Sequence, residues 1–249
     1  METLICRYLP LETWDGPRNM AADEVLLESA GQGTASLRLY TWSEATLSLG
    51  YFQSEKLRNL DPRLAQLPFV RRPSGGDTLV HHHELTYALA LPAGPPWQDI
   101  NEKPNARLTW MHAIIAAALQ RFDIIPKLAT DIGKERFTGI LCFHHVTPGD
   151  LVLGNAKIAG SAQRRYRGAL LQHGGVLCAR SPHTPDLPGI QDLTGIDLTI
   201  PDLARAIRTH FSQITKWSLQ PDSWTNAEMK RIHSLAQSKY TQPRWNCKR

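Results

Sequence analysis

Segments with the pattern of β-strands lie on both sides of one strongly helical segment, and this order limits the fold more than any other feature of the 249-residue chain. After a capped helix predicted at residues 15–28, residues 36–42 and 45–49 alternate apolar and polar side chains, which predicts half-buried antiparallel strands. The apolar spacing of residues 105–122 predicts an amphipathic helix, and residues 170–178 predict a later strand. Because strands and helices do not alternate strictly, the order favours an α+β fold over a doubly wound parallel sheet.

Turn residues divide the rest of the chain. The pair Gly154-Asn155 predicts a tight hairpin, residues 78–91 predict one continuous strand, and residues 126–148 predict a long loop. Two further helices are predicted near the end of the chain. No repeat or linker is evident, so we expect one catalytic domain over residues 1–249, in which residues 201–249 form a possible small C-terminal helical extension.

The composition narrows the class of protein. With 42% hydrophobic residues the chain can bury a substantial core, and its four cysteines include no Cys-x-x-Cys pair, which argues against a disulfide framework or a cysteine-rich zinc site. We find no basic and apolar leader and no apolar run of membrane-spanning length, so we expect a soluble, cytoplasmic protein without membrane association. The net charge of +5 suits an acidic protein partner as well as it suits nucleic acid.

The thiol of Cys142 and the ammonium of Lys157 are the strongest candidates for chemistry. Lone cysteines are most often small buried core residues, as we expect for Cys178. Cys142 instead lies in the predicted loop beside His144 and His145, where cations would favour the thiolate. Lys157 is surrounded by small or apolar residues, which suggests a partly buried ammonium able to stabilise a thiolate and an oxyanion. The pair indicates covalent acyl transfer.

Two arginine-rich stretches form the predicted basic region. Arg71 and Arg72 precede a turn at residues 73–76, where backbone N–H groups can approach a phosphate or carboxylate, although the turn has neither Walker nor dinucleotide spacing. Residues 164–167 carry three more arginines. The two stretches together suit a solvated strand edge, or a docking surface for an acidic carrier domain or a phosphate-bearing prosthetic arm.

The run His81-His82-His83-Glu84 raises the question of a metal. In a strand, His81 and His83 would share one face while His82 points to the other. No third ligand follows at a typical spacing, so we expect no metal site.

Several segments together resemble the biotin/lipoate protein ligase superfamily, in particular its octanoyltransferase branch of the Gram-positive type. They occur in the family's order between residues 15 and 190. The combination is far more specific than any one of them. The matching segments are residues 19–28, 37–42, 47–53, 70–76, 81 with 84–87, 142–143, 157–163 and 171–174.

The resemblance implies the class II ligase fold, a central mixed and mostly antiparallel sheet flanked by helices. It also implies that Cys142 carries the acyl thioester and that Lys157 polarises the acyl carbonyl and acidifies the thiol. In the other octanoyltransferase branch the nucleophile follows the His-Gly segment, where this chain has only Cys178, which lies too early. The implied substrate-binding residues are Arg72, Ser74, Gly75, Gly76 and His81 in the substrate loop and strand, and Gly160, Ser161, Ala162, His173 and Gly174 along the acyl tunnel.

The implied activity is transfer of an octanoyl or lipoyl group from acyl carrier protein to a lysine of a lipoyl domain, in lipoate biosynthesis. The implied acceptors are lipoyl-domain proteins such as the E2 subunits of 2-oxoacid dehydrogenases or the H protein of glycine cleavage. The resemblance implies no cofactor and no ATP, because thioester exchange is nearly isoenergetic and the product amide is more stable. Asp77 and the three consecutive histidines depart from the family's usual pattern.

Other functions share parts of this pattern. An ATP-dependent lipoate–protein ligase would have the same fold but would not need Cys142. An amidotransferase that moves the acyl group between two carrier proteins would share Cys142 and Lys157. A non-catalytic binder of carrier domains would not need this pair, and a nucleic-acid-binding module would be expected to carry a basic stripe interleaved with aromatic residues, which is not seen.

Overall fold

The computed structural model describes residues 3–97, 104–130 and 140–249. Within these ranges nine strands form the main sheet, in the order β12-β1-β3-β7-β11-β10-β9-β8, with β2 also paired to β3. The pairs of β1 with β12 and β3, and of β2 with β3, are parallel, and the other pairs are antiparallel. The expected mixed and mostly antiparallel sheet is therefore confirmed. Its strands are β1 Ile5–Tyr8, β2 Glu12–Trp14, β3 Ser36–Trp42, β7 Glu84–Leu91, β8 Lys127–Leu128, β9 Leu151–Leu153, β10 Ala156–Tyr166, β11 Ala169–Leu177 and β12 Ser218–Pro221.

A second, small sheet carries the arginine and histidine motifs. It consists of β4 (Thr46–Leu49), β5 (Phe69–Arg71) and β6 (Leu79–His81) in the order β5-β4-β6. The prediction of one continuous strand over residues 78–91 was wrong, because the chain leaves the small sheet after His81 and enters the main sheet at Glu84. Three polar histidines in succession interrupt the apolar pattern at this crossing, so the bend lies at residues 82–83, which are not buried.

Helices cover both faces of the main sheet. They are α1 Gly16–Ala30, α2 Pro62–Ala65, α3 Pro104–Gln120, α4 Ile190–Thr194, α5 Ile200–Thr215, α6 Asn226–Leu235 and α7 Pro243–Asn246, together with 3-10 helices at Glu55–Leu60 and Cys142–His144 and a π-helical turn at Ala236–Tyr240. Helix α1 begins as predicted, because Asp15 Oδ1 accepts a hydrogen bond from Arg18 N at 2.8 Å.

Alternate residues of the central strands fill two separate cores. Leu37 and Leu39 of β3 pack with buried residues of α3 and α5 on one face of the sheet. Tyr40 and Trp42 of the same strand pack on the other face with α1 and with Ile232 of α6. Each strand residue therefore faces one of two helical layers, as the period of two residues requires. On the second face, residues of α1 pack in the same core as Leu171 of β11.

The end of the chain is built into this body. Strand β12 pairs in parallel with β1 at the edge of the main sheet, and α5 places Leu203 and Phe211 in the core that also contains α3. At α7, the side-chain oxygen of Asn246 accepts a hydrogen bond from Arg71 N at 2.9 Å. Residues 201–249, expected as an extension, thus contact both sheets.

Candidate active site

Cys142 opens a short 3-10 helix that is held beside the small sheet. Leu141 forms an isolated parallel bridge with Thr78, and Cys142 N donates to Thr78 O at 2.8 Å. Residues 131–139 of the predicted loop lie outside the described residues, and from residue 140 onward the backbone is anchored to the turn before β6. Cys142 is neither fully buried nor fully exposed, so its thiol is both positioned and accessible.

Lys157 on β10 brings its ammonium to this thiol. Its side chain is 2% exposed, as the small and apolar surroundings predicted, and Nζ lies 2.7 Å from Asp150 Oδ2 and 3.6 Å from Cys142 Sγ. Nζ also donates to the carbonyl oxygens of Cys142 and His145, at 3.2 and 3.0 Å. The ammonium is thus a fixed cation whose charge faces one carboxylate and one sulfur atom.

Two neighbours hold this lysine in place. Asp150 Oδ2 accepts hydrogen bonds from the backbone N and the hydroxyl of Thr147, at 2.7 and 2.9 Å, so the carboxylate cannot swing away from Lys157. Gly160 provides the space, because a Cβ there would lie 2.6 Å from Lys157 Cε and 3.0 Å from Nζ. The lysine side chain therefore lies along its own strand, over the missing side chain of Gly160.

A cavity opens beside the Cys142 thiol and extends between β10, β11 and α1. Including its open mouth, its volume is about 460 Å³. It brings together eight of the ten predicted substrate-binding residues with the predicted nucleophile. The lining residues are Met20, Tyr40, Ser48, Arg72, Gly76, Leu79, His81, Thr86, Cys142, Gly160, Ser161, Ala162, His173, Gly174 and Gly175.

The predicted residues that do not line the cavity contact residues that do. Ser74 is buried and its hydroxyl lies 2.5 Å from His173 Nε2. Gly75 lies on the outer side of the loop, where a Cβ would be 3.8 Å from the ring of Phe52. Lys157 does not line the cavity, but its ammonium contacts Cys142, which does. Six further lining residues were not predicted from the sequence, because each is a single residue on α1 or on a neighbouring strand. They are Met20, Tyr40, Ser48, Leu79, Thr86 and Gly175.

Arg72 organises the loop above the cavity. Its guanidinium donates to the carbonyl oxygens of Ser48, Gly75 and Asp77, at 2.9, 2.9 and 2.6 Å. Burial lowers the pKa of Arg72 to about 10, against the opposing effects of Cys142 and Asp77. Gly76 has a φ of 86°, a conformation that favours glycine, and this lets its backbone pass close to the Arg72 side chain.

Arg71 does not belong to the exposed basic region expected from the sequence. It is fully buried, and its guanidinium donates to the carbonyl oxygens of Gly50, Gln53 and Asn246, at 3.0, 2.6 and 2.8 Å. Arg72 is 4% exposed. The guanidinium groups of both arginines donate to backbone carbonyl oxygens inside the protein. Most of these carbonyls lie in loops without regular backbone hydrogen bonding and therefore need side-chain donors. The exposed basic residues of the predicted region are those at positions 164–167.

The histidine run is divided between the cavity and the surface. His81 lies in the cavity wall, stacked on Trp42 with ring centroids 3.8 Å apart, bonded to Glu84 through Nδ1 and 2.7 Å from Ser48 Oγ through Nε2. The expectation that His82 and His83 face opposite sides was wrong, because they lie on a bend and their rings stack 3.7 Å apart. Within the described part of the chain, no group of three or more histidine, cysteine, aspartate or glutamate side chains could hold a metal ion.

A buried chain of polar groups connects the cavity to α1. His173 Nδ1 lies 2.8 Å from Asp23 Oδ2, which also accepts a hydrogen bond from the Tyr40 hydroxyl at 2.9 Å. Arg38 donates to Asp23 Oδ1 at 3.3 Å. Burial and the Asp23 charge raise the pKa of Tyr40 well above its usual value. Asp23 was not predicted from the sequence as a site residue, although an acidic residue within the apolar pattern of α1 is a signal of a buried polar contact.

The other thiols differ from Cys142. Burial raises the pKa of Cys6 and of Cys178 to about 12, so both are protonated at neutral pH. Cys178 directly follows β11 and is 9% exposed, as expected of a core residue. Cys247 is exposed and lies beyond α7. In the described chain, Cys142 is the cysteine that lines the cavity and faces an ammonium.

The sequence is similar to those of known proteins. Residues 15–184 match the family model "Lipoyl protein ligase A/B catalytic domain". Curated proteins named octanoyltransferase LipM, from Lysinibacillus sphaericus and from Bacillus subtilis, are each 30% identical to this chain, with 93% of this chain and 94% of the relative covered.

Solved structures share the fold. A putative lipoate protein ligase from T. acidophilum superposes with a TM-score of 0.80 at 20% identity, over 99% of this chain and 100% of that one. A lipoate-protein ligase A bound with ATP superposes with a TM-score of 0.79 at 20% identity, over 98% and 99%. Among the residues that the structure describes, no helix is long and apolar enough to cross a membrane. The resemblance noted in the sequence is confirmed, and the chain belongs to the lipoyl protein ligase A/B catalytic domain family.

Proposed function

We propose that this protein is an octanoyltransferase of lipoate biosynthesis, which moves an octanoyl group from acyl carrier protein to a lysine of a lipoyl domain through a thioester on Cys142. The observation that carries the proposal is the 3.6 Å approach of the buried Lys157 ammonium to Cys142 Sγ at the wall of a cavity. The relatives named octanoyltransferase LipM support octanoyl as the acyl group.

In the first half-reaction, the Cys142 thiolate attacks the carbonyl carbon of the donor thioester. A new carbon–sulfur bond forms, the bond to the donor sulfur breaks, and the donor leaves as its thiol after taking up the proton that Cys142 gave up. The Lys157 ammonium favours the thiolate before attack and stabilises the oxyanion during it. Asp150 keeps that ammonium at hydrogen-bonding distance from the sulfur throughout.

In the second half-reaction, the amine of the target lysine attacks the octanoyl thioester. The carbon–nitrogen bond forms, the bond to Cys142 Sγ breaks, the nitrogen releases one proton to solvent, and the thiolate returns to its place beside Lys157. An amide is more stable than a thioester, so no ATP is required and we propose that the enzyme uses no cofactor. The bound acyl chain would extend along the cavity wall formed by Gly160, Ser161, Ala162 and Gly174, with Met20 and Leu79 as apolar contacts.

Cations and aromatic rings next to the loop at residues 72–76 support an acidic donor. Tyr51 N donates to Ser74 O at 2.8 Å, and Phe52, 71% exposed, contacts Gly75 of the same loop. Lys248 Nζ lies 3.5 Å from the centre of the Tyr51 ring. We call this surface the mouth patch; its residues are Tyr51, Phe52, Arg164, Lys248 and Arg249.

The mouth patch suits a partner that carries negative charge close to its acyl group. Its three cations surround two aromatic rings, and the loop that they flank forms the cavity wall through Arg72 and Gly76. An acyl carrier protein, acidic and with its acyl thioester on a phosphate-linked arm, has that chemistry. We propose that lipoyl domains of E2 subunits or of H protein then use the same mouth, and that the protein acts in the cytoplasm, without nucleic acid or a membrane.

The test is a modification assay on a purified lipoyl domain with two alternative donors. With octanoyl carrier protein and no ATP, the wild-type chain should octanoylate the domain, and Cys142→Ser should not. The ATP-dependent ligase alternative makes the opposite prediction, because such an enzyme would use free octanoate or lipoate with ATP and would keep its activity in Cys142→Ser. Cys178→Ser is the matched control and should retain transfer, because Cys178 is buried and does not line the cavity.

A further inference from the structure

A buried histidine on helix α3 has no part in the chemistry described so far. His112 is 1% exposed, and Met111, Ile114 and Ile115 of the same helix are fully buried apolar residues. Its Nε2 has no hydrogen-bond partner among the described residues. A buried polar atom without a partner destabilises a fold, so an apolar side chain would be expected at this position unless the imidazole has another use.

The other ring nitrogen of His112 identifies that use. Nδ1 lies 2.5 Å from Gly149 O, and a carbonyl oxygen only accepts hydrogen bonds, so Nδ1 carries the proton. Burial lowers the pKa of His112 against the opposing effects of the Gly149 carbonyl and the Asp150 charge, and the Lys157 charge lowers it further. The ring is therefore a neutral imidazole that donates to the carbonyl oxygen of Gly149.

That carbonyl belongs to the turn that carries Asp150. Asp150 N donates to Thr147 O at 3.0 Å, and Gly149 has a φ of 95°, which after Pro148 is typical of a type II turn. The Gly149–Asp150 peptide is planar, so its orientation is fixed by the partners of its oxygen and its nitrogen. His112 holds the oxygen, and Thr147 O holds the nitrogen.

The orientation of this peptide determines where the Asp150 carboxylate lies. Asp150 O accepts a hydrogen bond from Ala129 N at 2.8 Å, so the backbone of Asp150 is held on both sides of its Cα atom. Its Oδ2 lies 2.7 Å from Lys157 Nζ, and Nζ lies 3.6 Å from Cys142 Sγ. The imidazole is thus linked to the sulfur atom by direct contacts through Gly149, Asp150 and Lys157.

We infer that His112 is a positioning residue of the acyl-transfer site, which holds the Gly149–Asp150 peptide so that the Asp150 carboxylate directs the Lys157 ammonium to the Cys142 thiol. Its role in acyl transfer rests on the proposed octanoyltransferase function, whereas the placement of the ammonium can be measured without an acyl donor. His112 is not among the described residues that line the cavity, so it acts on the thiol through Asp150 and Lys157.

The experiment measures alkylation of each cysteine by iodoacetamide at neutral pH, resolved by peptide mass. The thiolate is the reacting form, and an opposite charge within about 4–6 Å changes the ionised fraction of a group by about tenfold or more. We expect His112→Leu, which has no hydrogen-bond donor, to slow alkylation of Cys142 by about tenfold. The octanoylation rate should fall at least as far, because the ammonium also stabilises the oxyanion.

The other cysteines report whether the fold has loosened. Cys247 is exposed and should react at an unchanged rate in every variant. Cys6 and Cys178 are buried and should stay unmodified as long as the fold is intact. A loss of reactivity confined to Cys142 therefore reports the placement of the ammonium rather than general instability.

Two further variants control for the loss of the imidazole. The side-chain amide of His112→Asn can take the place of the imidazole Nδ1 and donate to Gly149 O, so this variant should keep most of the wild-type rate. His210→Leu removes a histidine whose Nδ1 lies 3.0 Å from the carbonyl oxygen of Ala206 within α5, and it should leave alkylation of Cys142 unchanged.

The alkylation rates of Cys142 decide the inference. Slower alkylation in His112→Leu, with recovery in His112→Asn, supports it. A wild-type rate in folded His112→Leu overturns it, and so does equal slowing in His112→Asn or in His210→Leu. If His112→Leu does not fold, Gly149→Ala decides, because a Cβ there would lie 3.1 Å from Thr109 Cγ2 and displace the same peptide. A slower rate in that variant supports the inference, and an unchanged rate overturns it.

Failure of the proposed function gives a different result. If wild-type Cys142 does not become octanoylated by octanoyl carrier protein, the octanoyltransferase function is refuted. The alkylation rates still decide whether His112 places the ammonium beside the thiol, because they need no acyl donor.

Discussion

A Cβ atom at Gly160 would lie 2.6 Å from Lys157 Cε, so the ammonium reaches Cys142 only because the position three residues later has no side chain. We predict that Gly160→Ala displaces Lys157 and slows octanoylation of Cys142 by about 100-fold, the cost of misplacing a catalytic group by about 1 Å. The rate of mass gain after mixing with octanoyl carrier protein measures this. Gly31→Ala, at a helical φ of −61° after α1, is the control, and equal rates in the two variants would rule out this role of Gly160.

Local patterns were sufficient to predict the elements that surround the site. Asp15 and Pro17 define the start of α1, the alternation of residues 36–42 predicts β3, and Gly154-Asn155 predicts the β9–β10 hairpin. Each of these elements is predicted by residues that are neighbours in the chain. The short strands β1, β2 and β12 were not predicted, because three or four residues show too little periodicity and their pairing depends on distant segments.

The site was only partly predictable for the same reason. The proposed roles of Cys142 and Lys157 were inferred from the family pattern and their chemistry, and the structure places Lys157 Nζ 3.6 Å from Cys142 Sγ. The residues that bond to the cavity residue His173 are distant from it in the chain. Asp23 is 150 positions from His173, and no local pattern indicates that α1 lies against β11. Arg71 and Arg72 were predicted as part of a basic surface because the sequence does not reveal their acceptors, which are backbone carbonyls that every residue has.

The Asp150–Lys157 ion pair gives a second prediction. Asp150→Asn removes the charge that balances a 2% exposed ammonium, and breaking a buried pair in this way costs about 3–5 kcal/mol of the free energy of unfolding. We expect the rate of Cys142 octanoylation to fall as well, because Lys157 loses the partner that directs it. Urea unfolding and acylation kinetics measure the two effects.

The exposed pair of Asp202 with Arg205 provides the comparison for that prediction. Arg205→Gln removes a guanidinium that is 67% exposed, and the free energy of unfolding should change by no more than about 1 kcal/mol. Similar losses of stability in Asp150→Asn and Arg205→Gln would show that burial does not strengthen the pair with Lys157.

Met20 leads to a prediction about the acyl chain. It lies on α1, is 2% exposed and forms part of the cavity wall. Met20→Ala should let the enzyme accept acyl groups longer than octanoyl, at a cost of about 2–5 kcal/mol in stability. Competition between octanoyl and decanoyl carrier proteins, resolved by intact mass, measures the preference. Leu203→Ala in the α5 core should cost similar stability without changing the preference, and a shift in that variant too would point to general loosening.

Glu228 gives a prediction about acid stability. Burial alone would raise its pKa, but hydrogen bonds from Arg7, Thr225 N and Ser29 outweigh burial and lower the pKa to about 2. A carboxyl whose pKa is lower in the folded state stabilises the fold above its unfolded pKa, near 4.5, and this contribution is lost as the pH falls from about 4.5 towards 2.

The measurement is urea unfolding of Glu228→Gln and of the wild-type chain at pH 7 and pH 3. The wild-type chain should be the more stable at pH 7, and the difference should shrink at pH 3. Glu44→Gln, at an exposed position, should show no such change with pH. A difference between Glu228→Gln and wild type that stays constant with pH would contradict the assigned role of the Arg7 pair.

The central claim is that Cys142 carries the acyl group, and intact-mass spectrometry after incubation with octanoyl carrier protein tests it most directly. The wild-type chain and Cys178→Ser should each gain the mass of one octanoyl group, assigned to the Cys142 peptide and removed when a lipoyl domain is added. Cys142→Ser should gain none. An unmodified Cys142 in a preparation that nevertheless octanoylates the lipoyl domain would contradict the account.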